Sequence, residues 1–185
     1  MQSLDWGRLL DLDSPWAHLL VSTERVADDT ASRDGAIGIA PVVRILRGVR
    51  CQDVDHLFQE WAAAFQFPYY FGNNWDAFEE CIGDLSWLPA KGYVAVVTQA
   101  HLLLRQSDQA LATLAEVFNG VAREWRMPSS PANRPLRPPT PFRVVFHAEP
   151  DHAAAATTRL QLAGVSINRS VAALDPLTVS PSGTR

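Results

Sequence analysis

Residues 92–99 read GYVAVVTQ, a short run of β-branched and apolar residues. Such a run is typical of a strand in the middle of a sheet. Two more runs share this character: PVVRIL, with its strand over residues 42–46, and FRVVFH, with its strand over residues 142–146. Because strands that alternate with helical crossovers form parallel sheets, the pattern predicts an α/β fold, a small three-stranded parallel sheet packed with helices.

The segments between these strands have the apolar spacing of helices. Residues 53–67, DVDHLFQEWAAAFQF, predict the first helix, with Gln52 or Asp53 able to cap its start and Pro68 ending it. Residues 107–125, SDQALATLAEVFNGVAREW, carry a single apolar stripe and follow QAHLLLRQ, a candidate short helix. Four large aromatic residues on the predicted helices are expected in the core: Trp61, Phe65, Phe78 and Phe118.

Composition limits the class of protein. The chain has 185 residues, 47% of them hydrophobic, and its formal net charge is -4, which argues against attraction of the whole surface to nucleic acid or acidic lipid. Two cysteines are too few for a disulfide-stapled secreted scaffold. No apolar run approaches the roughly 20 residues of a membrane span, and charges interrupt the first residues of the chain. We therefore expect a cytoplasmic protein without a membrane partner.

Three regions follow from these patterns. Residues 41–147 form the predicted α/β domain. Residues 1–40 form an N-terminal extension with a candidate strand, HLLVSTE, and a small-residue linker, ASRDGAIGIAP. Residues 148–185 form a C-terminal extension with an expected disordered end, PSGTR, and either extension could add strands to the sheet. Within the domain, the proline-rich residues 127–141 predict an extended loop.

The segment PYYFGNNWDAFEECIGDLSW, residues 68–87, contains four carboxylates and no lysine or arginine. A helix over about residues 74–85, at about 100° per residue, separates its side chains into two faces. The apolar face contains Trp75, Phe78, Cys81, Ile82 and Leu85. The acidic face contains Asp76, Glu79, Glu80 and Asp84.

Asp76, Glu80 and Asp84 follow one another at intervals of four residues and therefore repel each other. The helix dipole and an asparagine cap account at most for Asp76 and Glu79. Two interpretations remain for the rest, a solvated helix face or a binding surface for a cationic site. Tyrosines beside the charges favour the binding surface, since such rings are common in binding hot spots. We expect Tyr70 to face the partner and Tyr69 to pack back.

The run FPYYFGNNWDAFEECI, residues 67–82, resembles the signature of the barstar family, intracellular inhibitors of barnase-type ribonucleases. The order of strands and helices over residues 41–147 is similar too. This resemblance implies that carboxylates on a rigid helix fill the enzyme's phosphate site and exclude RNA. The implied partner is a basic extracellular-type ribonuclease or a related nuclease toxin, with the chain acting as its immunity protein or antitoxin. No catalytic residue, cofactor or metal is expected.

The resemblance also implies roles for single residues. The family's central aspartate falls on Glu80, its other helix aspartate on Asp76, and its loop tyrosine, which packs over the catalytic histidine, on Tyr70. Neighbouring contact positions fall on Asn74 and Trp75. With the rest of the acidic face, the predicted partner-binding set is Tyr70, Asn74, Trp75, Asp76, Glu79, Glu80 and Asp84.

Three positions depart from the family pattern. Glu80 is one methylene longer than an aspartate, Glu79 stands where the family often has tryptophan, and the family's further acidic contact falls on Gly120. The partner implied by these departures is not a close copy of barnase.

Other functions are less well supported by the residues. An enzyme that uses two carboxylates needs them on different elements around a cleft, and these share one helix edge. His147, Glu149, Asp151 and His152 have a metal-ligand composition without a recognised spacing. The remaining alternatives are a non-inhibitory interaction module of the same fold, or an RNA-binding protein. The latter would use the arginines around the proline-rich loop: Arg123, Arg126, Arg134, Arg137 and Arg143.

Overall fold

The computed structural model describes residues 5–23, 41–128 and 137–168. These ranges contain four strands: β1 (Ala17–Val21), β2 (Val42–Arg47), β3 (Tyr93–Thr98) and β4 (Phe142–Ala148). They also contain five α-helices: α1 (Trp6–Leu9), α2 (Val54–Phe65), α3 (Trp75–Asp84), α4 (Asp108–Trp125) and α5 (Pro150–Leu162). The candidate short helix after β3 is one turn of 3-10 helix at Ala100–Leu102. No helix in the described ranges is both long and apolar enough to cross a membrane.

The strands form one parallel sheet in the order β1-β4-β3-β2. The predicted α/β class is confirmed, and β2, β3 and β4 are the three expected strands. The sheet has one strand more than the predicted domain supplies, because β1 from the N-terminal extension pairs with β4, with Ala17 opposite Val144. Without β1, the backbone groups along that side of β4 would have no strand partner.

The C-terminal extension adds a helix, which the sequence pattern did not predict. α5 buries only three small or medium side chains, Ala156, Thr157 and Leu160, so it lacks a strong apolar stripe. Arg159 holds it in place by donating to the backbone carbonyls of Leu103 and Leu104, at 2.9 and 3.0 Å.

Both extensions meet at the free edge of β1. Leu19 donates its N–H to the carbonyl of Asn168, and Asn168 donates to the carbonyl of Ala17. The candidate linker up to residue 40, most of the proline-rich loop and the expected disordered end lie outside the described residues. The domain boundaries at residues 41 and 147 stay a prediction. β1 and α5, which lie outside these boundaries, pack on the same sheet as the strands that lie inside them.

One face of the sheet carries the main core. Asp53, Asn74 and Ser107 cap α2, α3 and α4, each accepting a backbone N–H from the residue three positions later. The aromatic residues predicted in the core are all fully buried between these helices and the sheet: Trp61, Phe65, Phe78 and Phe118. The core thus fixes the position of α3, whose opposite face carries the acidic residues.

The other face of the sheet carries a smaller apolar cluster and two buried bases. Trp6 and Leu9 of α1 contribute to this cluster. Arg143 is fully buried and donates to the backbone carbonyls of Phe142 and Asp11. Burial lowers the pKa of Arg143 to about 10 and the pKa of His18 to about 4, because both charged forms lose solvation.

Acid is expected to destabilise the fold through His18. The imidazole protonates near pH 6.5 when unfolded and near 4 when folded, so the unfolded chain binds more protons between these values and stability falls as pH falls from about 6.5 to 4. At pH 4.5 the loss due to His18 should be about 2–3 kcal/mol. Urea unfolding at pH 7 and pH 4.5 measures it. The difference between the two pH values should shrink in His18→Gln and persist in His56→Gln, which changes an exposed histidine.

Candidate functional site

A tight turn leads into α3. The N–H of Phe71 donates to the carbonyl of Pro68, and Asn73 adopts a left-handed backbone with φ of 50°. The side chain of Asn74 then accepts the N–H of Ala77 at 2.9 Å, which caps the helix. The predicted start of the helix is therefore in place, and the turn and the first helical residues are held by local hydrogen bonds.

Both tyrosines before this turn face solvent. Tyr69 is 101% exposed and Tyr70 is 63% exposed, with their rings 5.7 Å apart. The expectation that Tyr69 packs back is wrong, because the backbone turns here and does not alternate as an extended strand does. Phe71, and not Tyr69, packs inward, with its ring centroid 5.8 Å from that of Phe58. Tyr69 is thus a further candidate contact residue, which the Pro68 turn could have indicated.

α3 presents its acidic face to solvent as predicted. Asp76, Glu79 and Glu80 are exposed and, within the part of the chain that the structure describes, their carboxylates form no ion pair. Asp84 is half-buried and accepts the hydroxyl of Ser86 at 3.0 Å. The charges of Asp76, Glu79 and Glu80 therefore remain available to a cationic partner.

The apolar side of α3 lies in the core. Phe78, Cys81 and Ile82 are buried, and burial raises the pKa of the Cys81 thiol to about 11. Trp75 is half-buried and meets Phe58 edge to face, with ring centroids 5.0 Å apart. Most of the Trp75 ring thus supports the helix, and only part of it can reach a partner.

The groove between α3 and α4 brings in a carboxylate that the sequence analysis missed. Glu79 lies over Gly120 of α4, where a Cβ would be 3.2 Å from its Oε1 atom, and Glu124 lies over Gly83 of α3, where a Cβ would be 3.8 Å from its Oε2 atom. Each glutamate thus crosses to a glycine of the other helix. Glu124 extends the charges of α3 onto α4. Along the sequence, the positive charge of the neighbouring Arg123 cancels the negative charge of Glu124, so no run of acidic residues indicates it.

We call the following exposed and half-buried side chains the acidic surface. Its members are Tyr69, Tyr70, Asp76, Glu79, Glu80, Asp84 and Glu124. All of them lie on α3, on α4 or on the turn before α3. Asn74 and Trp75 lie at its edge, where the turn meets the helix.

Replacing Gly120 by alanine is expected to stabilise the protein by about 0.5–1 kcal/mol, since alanine is the better helix residue. The new methyl group would press on the Glu79 carboxylate, which is the mobile end of an exposed side chain and can move. Urea unfolding measures the change. A less stable variant would mean that Glu79 is fixed against α4, which would make its position part of a rigid surface.

Among the described members of the predicted arginine cluster, Arg123 and Arg126 are exposed, Arg137 is half-buried and Arg143 is buried. Arg143 is buried, and Arg126 donates to the carbonyl of Ser14 at 2.6 Å. The Arg137 guanidinium stacks on Trp125, 3.6 Å from the ring centroid. Arg134 lies outside the described residues. This arrangement gives no support to RNA binding by the cluster.

The candidate metal ligands near the end of β4 are also separated. His147 is buried and its Nε2 atom donates to the carbonyl of Ser22 at 3.1 Å, whereas His152 stacks on His101 with ring centroids 4.0 Å apart. Across residues 5–23, 41–128 and 137–168, no three His, Cys, Asp or Glu side chains are placed to hold a metal ion.

Comparison with known proteins gives one family match. A family model described as "Barstar (barnase inhibitor)" matches residues 42–147, more than half of the chain. This match begins at β2, ends within β4 and includes the whole acidic surface. No curated protein matches the chain.

A solved structure that is similar to this chain, "Structure of Drosophila ORC bound to AT-rich DNA and Cdc6", has 11% sequence identity and a TM-score of 0.40. The alignment covers 83% of this chain and 48% of that one. This chain therefore spans about half the length of its solved counterpart, and a likeness at this level identifies neither fold nor function.

Proposed function

The chain belongs to the barstar family, whose members are inhibitors and not enzymes. We propose that it inhibits a basic extracellular-type ribonuclease or a related nuclease toxin, in the cytoplasm of the cell that makes this enzyme. One observation carries the proposal. Asp76, Glu79 and Glu80 stand without ion-pair partners, among the described residues, on a helix that its cap and core hold rigid. Such a face costs repulsion in the free protein and is useful once a cationic site covers it.

The mechanism we propose is occupation of the enzyme's phosphate site. Ribonuclease sites of this kind bind phosphate through arginine, lysine and histidine, and carboxylates offer these cations the same charge-assisted hydrogen bonds. Glu80 and Asp76 would enter the site, while Tyr69 and Tyr70 cover its rim with ring surface. RNA is then excluded because its phosphates and the carboxylates compete for the same cations.

Glu79, Glu124 and Asp84 lie on the same two packed helices as the two central carboxylates and would act on association. A surface with one sign of charge speeds the encounter with an oppositely charged site and makes the rate sensitive to salt. The longer side chain of Glu80 calls for a deeper or displaced cationic pocket than an aspartate does. The target enzyme should therefore differ from barnase at the group that receives this carboxylate.

Affinity capture identifies the partner. The wild type and the Asp76→Asn/Glu80→Gln variant are immobilised, and proteins from the lysate of the source cell are compared at low and high salt. We expect a basic protein to be retained by the wild type alone, to cleave RNA, and to stop cleaving RNA when free wild type is added. If both columns retain the same proteins with the same salt sensitivity, the acidic surface is only a solvated helix face and the proposal is wrong.

A further inference from the structure

A cavity of about 630 Å³ lies at the end of the acidic surface, beyond Asp84. It is bounded by the ends of α3 and α4, by the segment that leads into β3 and by residues 137–140, which lead into β4. Buried Leu85, Tyr93 and Trp125 are among its apolar lining residues. Its volume is in the range of small-molecule sites, which are mostly apolar with a few placed polar groups.

The rings that line the cavity are fixed. Tyr93 and Trp125 lie 4.9 Å apart between ring centroids. The Tyr93 hydroxyl donates to the carbonyl of Leu88 at 2.8 Å, and the Trp125 indole N–H donates to the carbonyl of Ile82 at 3.0 Å. Each of the two rings is therefore held in place by a backbone acceptor.

Arg137 adds directed donors to the wall of the cavity. It donates to the carbonyls of Gly83 and Glu124, at 3.3 and 3.5 Å, in the last turns of α3 and α4. A guanidinium has five N–H groups, so these two bonds leave others for a ligand. The bonds also offset the partial negative charge of the two helix ends, which would otherwise disfavour an anion in this place.

Lys91 supplies a positive charge that has no ion-pair partner among the described residues. It lines the cavity, it is exposed, and within the described ranges it forms no ion pair. Asp84 also lines the cavity, but it accepts the Ser86 hydroxyl, and the fields of Glu124 and Asp84 both act on Arg137. Two cationic side chains and one carboxylate therefore line a mainly apolar, ring-walled space.

We propose that this cavity binds a small molecule that combines a planar ring with an anionic group, a phosphate or a carboxylate. The ring contacts the apolar wall around Tyr93, and the anion is bound by Lys91 and the remaining N–H groups of Arg137. The proposal does not depend on the inhibition of a ribonuclease, although Asp84 belongs both to the acidic surface and to the lining of the cavity. The same anion chemistry is found in nucleotides and in aromatic acids, so the test includes one probe of each kind.

The test follows the Trp125 indole N–H by NMR in the full chain while probes are added. Adenosine 5′-monophosphate is compared with adenosine, and indole-3-acetate with indole; inorganic phosphate serves as the anion without a ring. We expect the anionic member of at least one pair to bind about tenfold tighter than its neutral counterpart, as one charge-assisted hydrogen bond allows. Whichever anionic probe binds tighter identifies the group that the site prefers, and phosphate alone should leave Trp125 unshifted.

Two variants place the binding in this cavity. Lys91→Gln removes an exposed side chain that the fold does not use, and it should weaken the anionic probe about tenfold. Arg105→Gln removes another exposed cation, from the turn before α4, and should change nothing. The proposal is overturned by equal affinity for charged and neutral probes, by unchanged binding in Lys91→Gln, or by no shift of Trp125 at millimolar probe.

Discussion

Neutralising Asp76 and Glu80 together, as Asp76→Asn/Glu80→Gln, is expected to raise the Kd for the target ribonuclease by about three orders of magnitude. Each exchange keeps the shape of the side chain and removes a charge that would face a cation with little water between them. Losing one partner of such a pair costs about 2 kcal/mol or more, a range to which the barnase–barstar pair itself contributes. Two losses of about 2 kcal/mol multiply the Kd by about a thousand.

Calorimetry or surface plasmon resonance with the purified enzyme measures this loss, and Asp55→Asn/Asp151→Asn is its control. Asp55 and Asp151 are exposed acids in the first turns of α2 and α5, so the control changes the net charge equally and also weakens two helix starts. It should keep nearly wild-type affinity. If both double variants lose affinity equally, overall charge and not the face of α3 attracts the enzyme.

In a variant that starts at Pro41, most molecules are expected to be unfolded at room temperature. The truncation removes β1 and α1, and with them the buried side chains of Trp6, Leu9, Leu19 and Leu20. Each buried apolar side chain contributes about 1.5–3 kcal/mol. Four of them amount to about 6–12 kcal/mol, which is comparable with the whole stability of a typical domain.

The truncation also leaves one edge of β4 without a strand, and an open apolar edge favours aggregation. Circular dichroism, urea unfolding and light scattering follow the two effects, with Leu12→Ala as a control at an exposed position of the removed segment. A truncated chain that stays monomeric and unfolds at the wild-type urea midpoint would show that residues 41–185 fold independently of the N-terminal extension. The predicted boundary at residue 41 would then be correct.

Local patterns in the sequence were enough to predict β2, β3 and β4 and the helices between them. The helices, β3 and β4 bury an apolar run or stripe, and β2, at the edge of the sheet, carries an apolar run that is mostly half-buried. The two faces of α3 could be predicted for the same reason, because Phe78 and Glu80 must point apart on any helix. The family resemblance added the roles of single residues, such as Glu80 and Tyr70. The spacing of apolar residues does not predict such roles.

The parts that were missed depend on contacts between distant residues. α5 has little apolar surface, and Arg159 ties it to a turn more than fifty positions away. Glu124 joins the acidic surface only because α4 packs beside α3 and puts it over Gly83. Tyr69 was placed wrongly because its direction depends on the type of turn at Pro68, which the residue types alone left open.

The most direct test of the proposed function is a titration of RNA cleavage. The ribonuclease retained by the wild-type column is held at a fixed concentration well above the expected Kd, and cleavage of an RNA substrate is measured as the wild-type chain is added. The proposal predicts that activity falls linearly and reaches zero at one chain per enzyme molecule, because one acidic surface fills one phosphate site. Full cleavage in the presence of a large molar excess of the chain would contradict it.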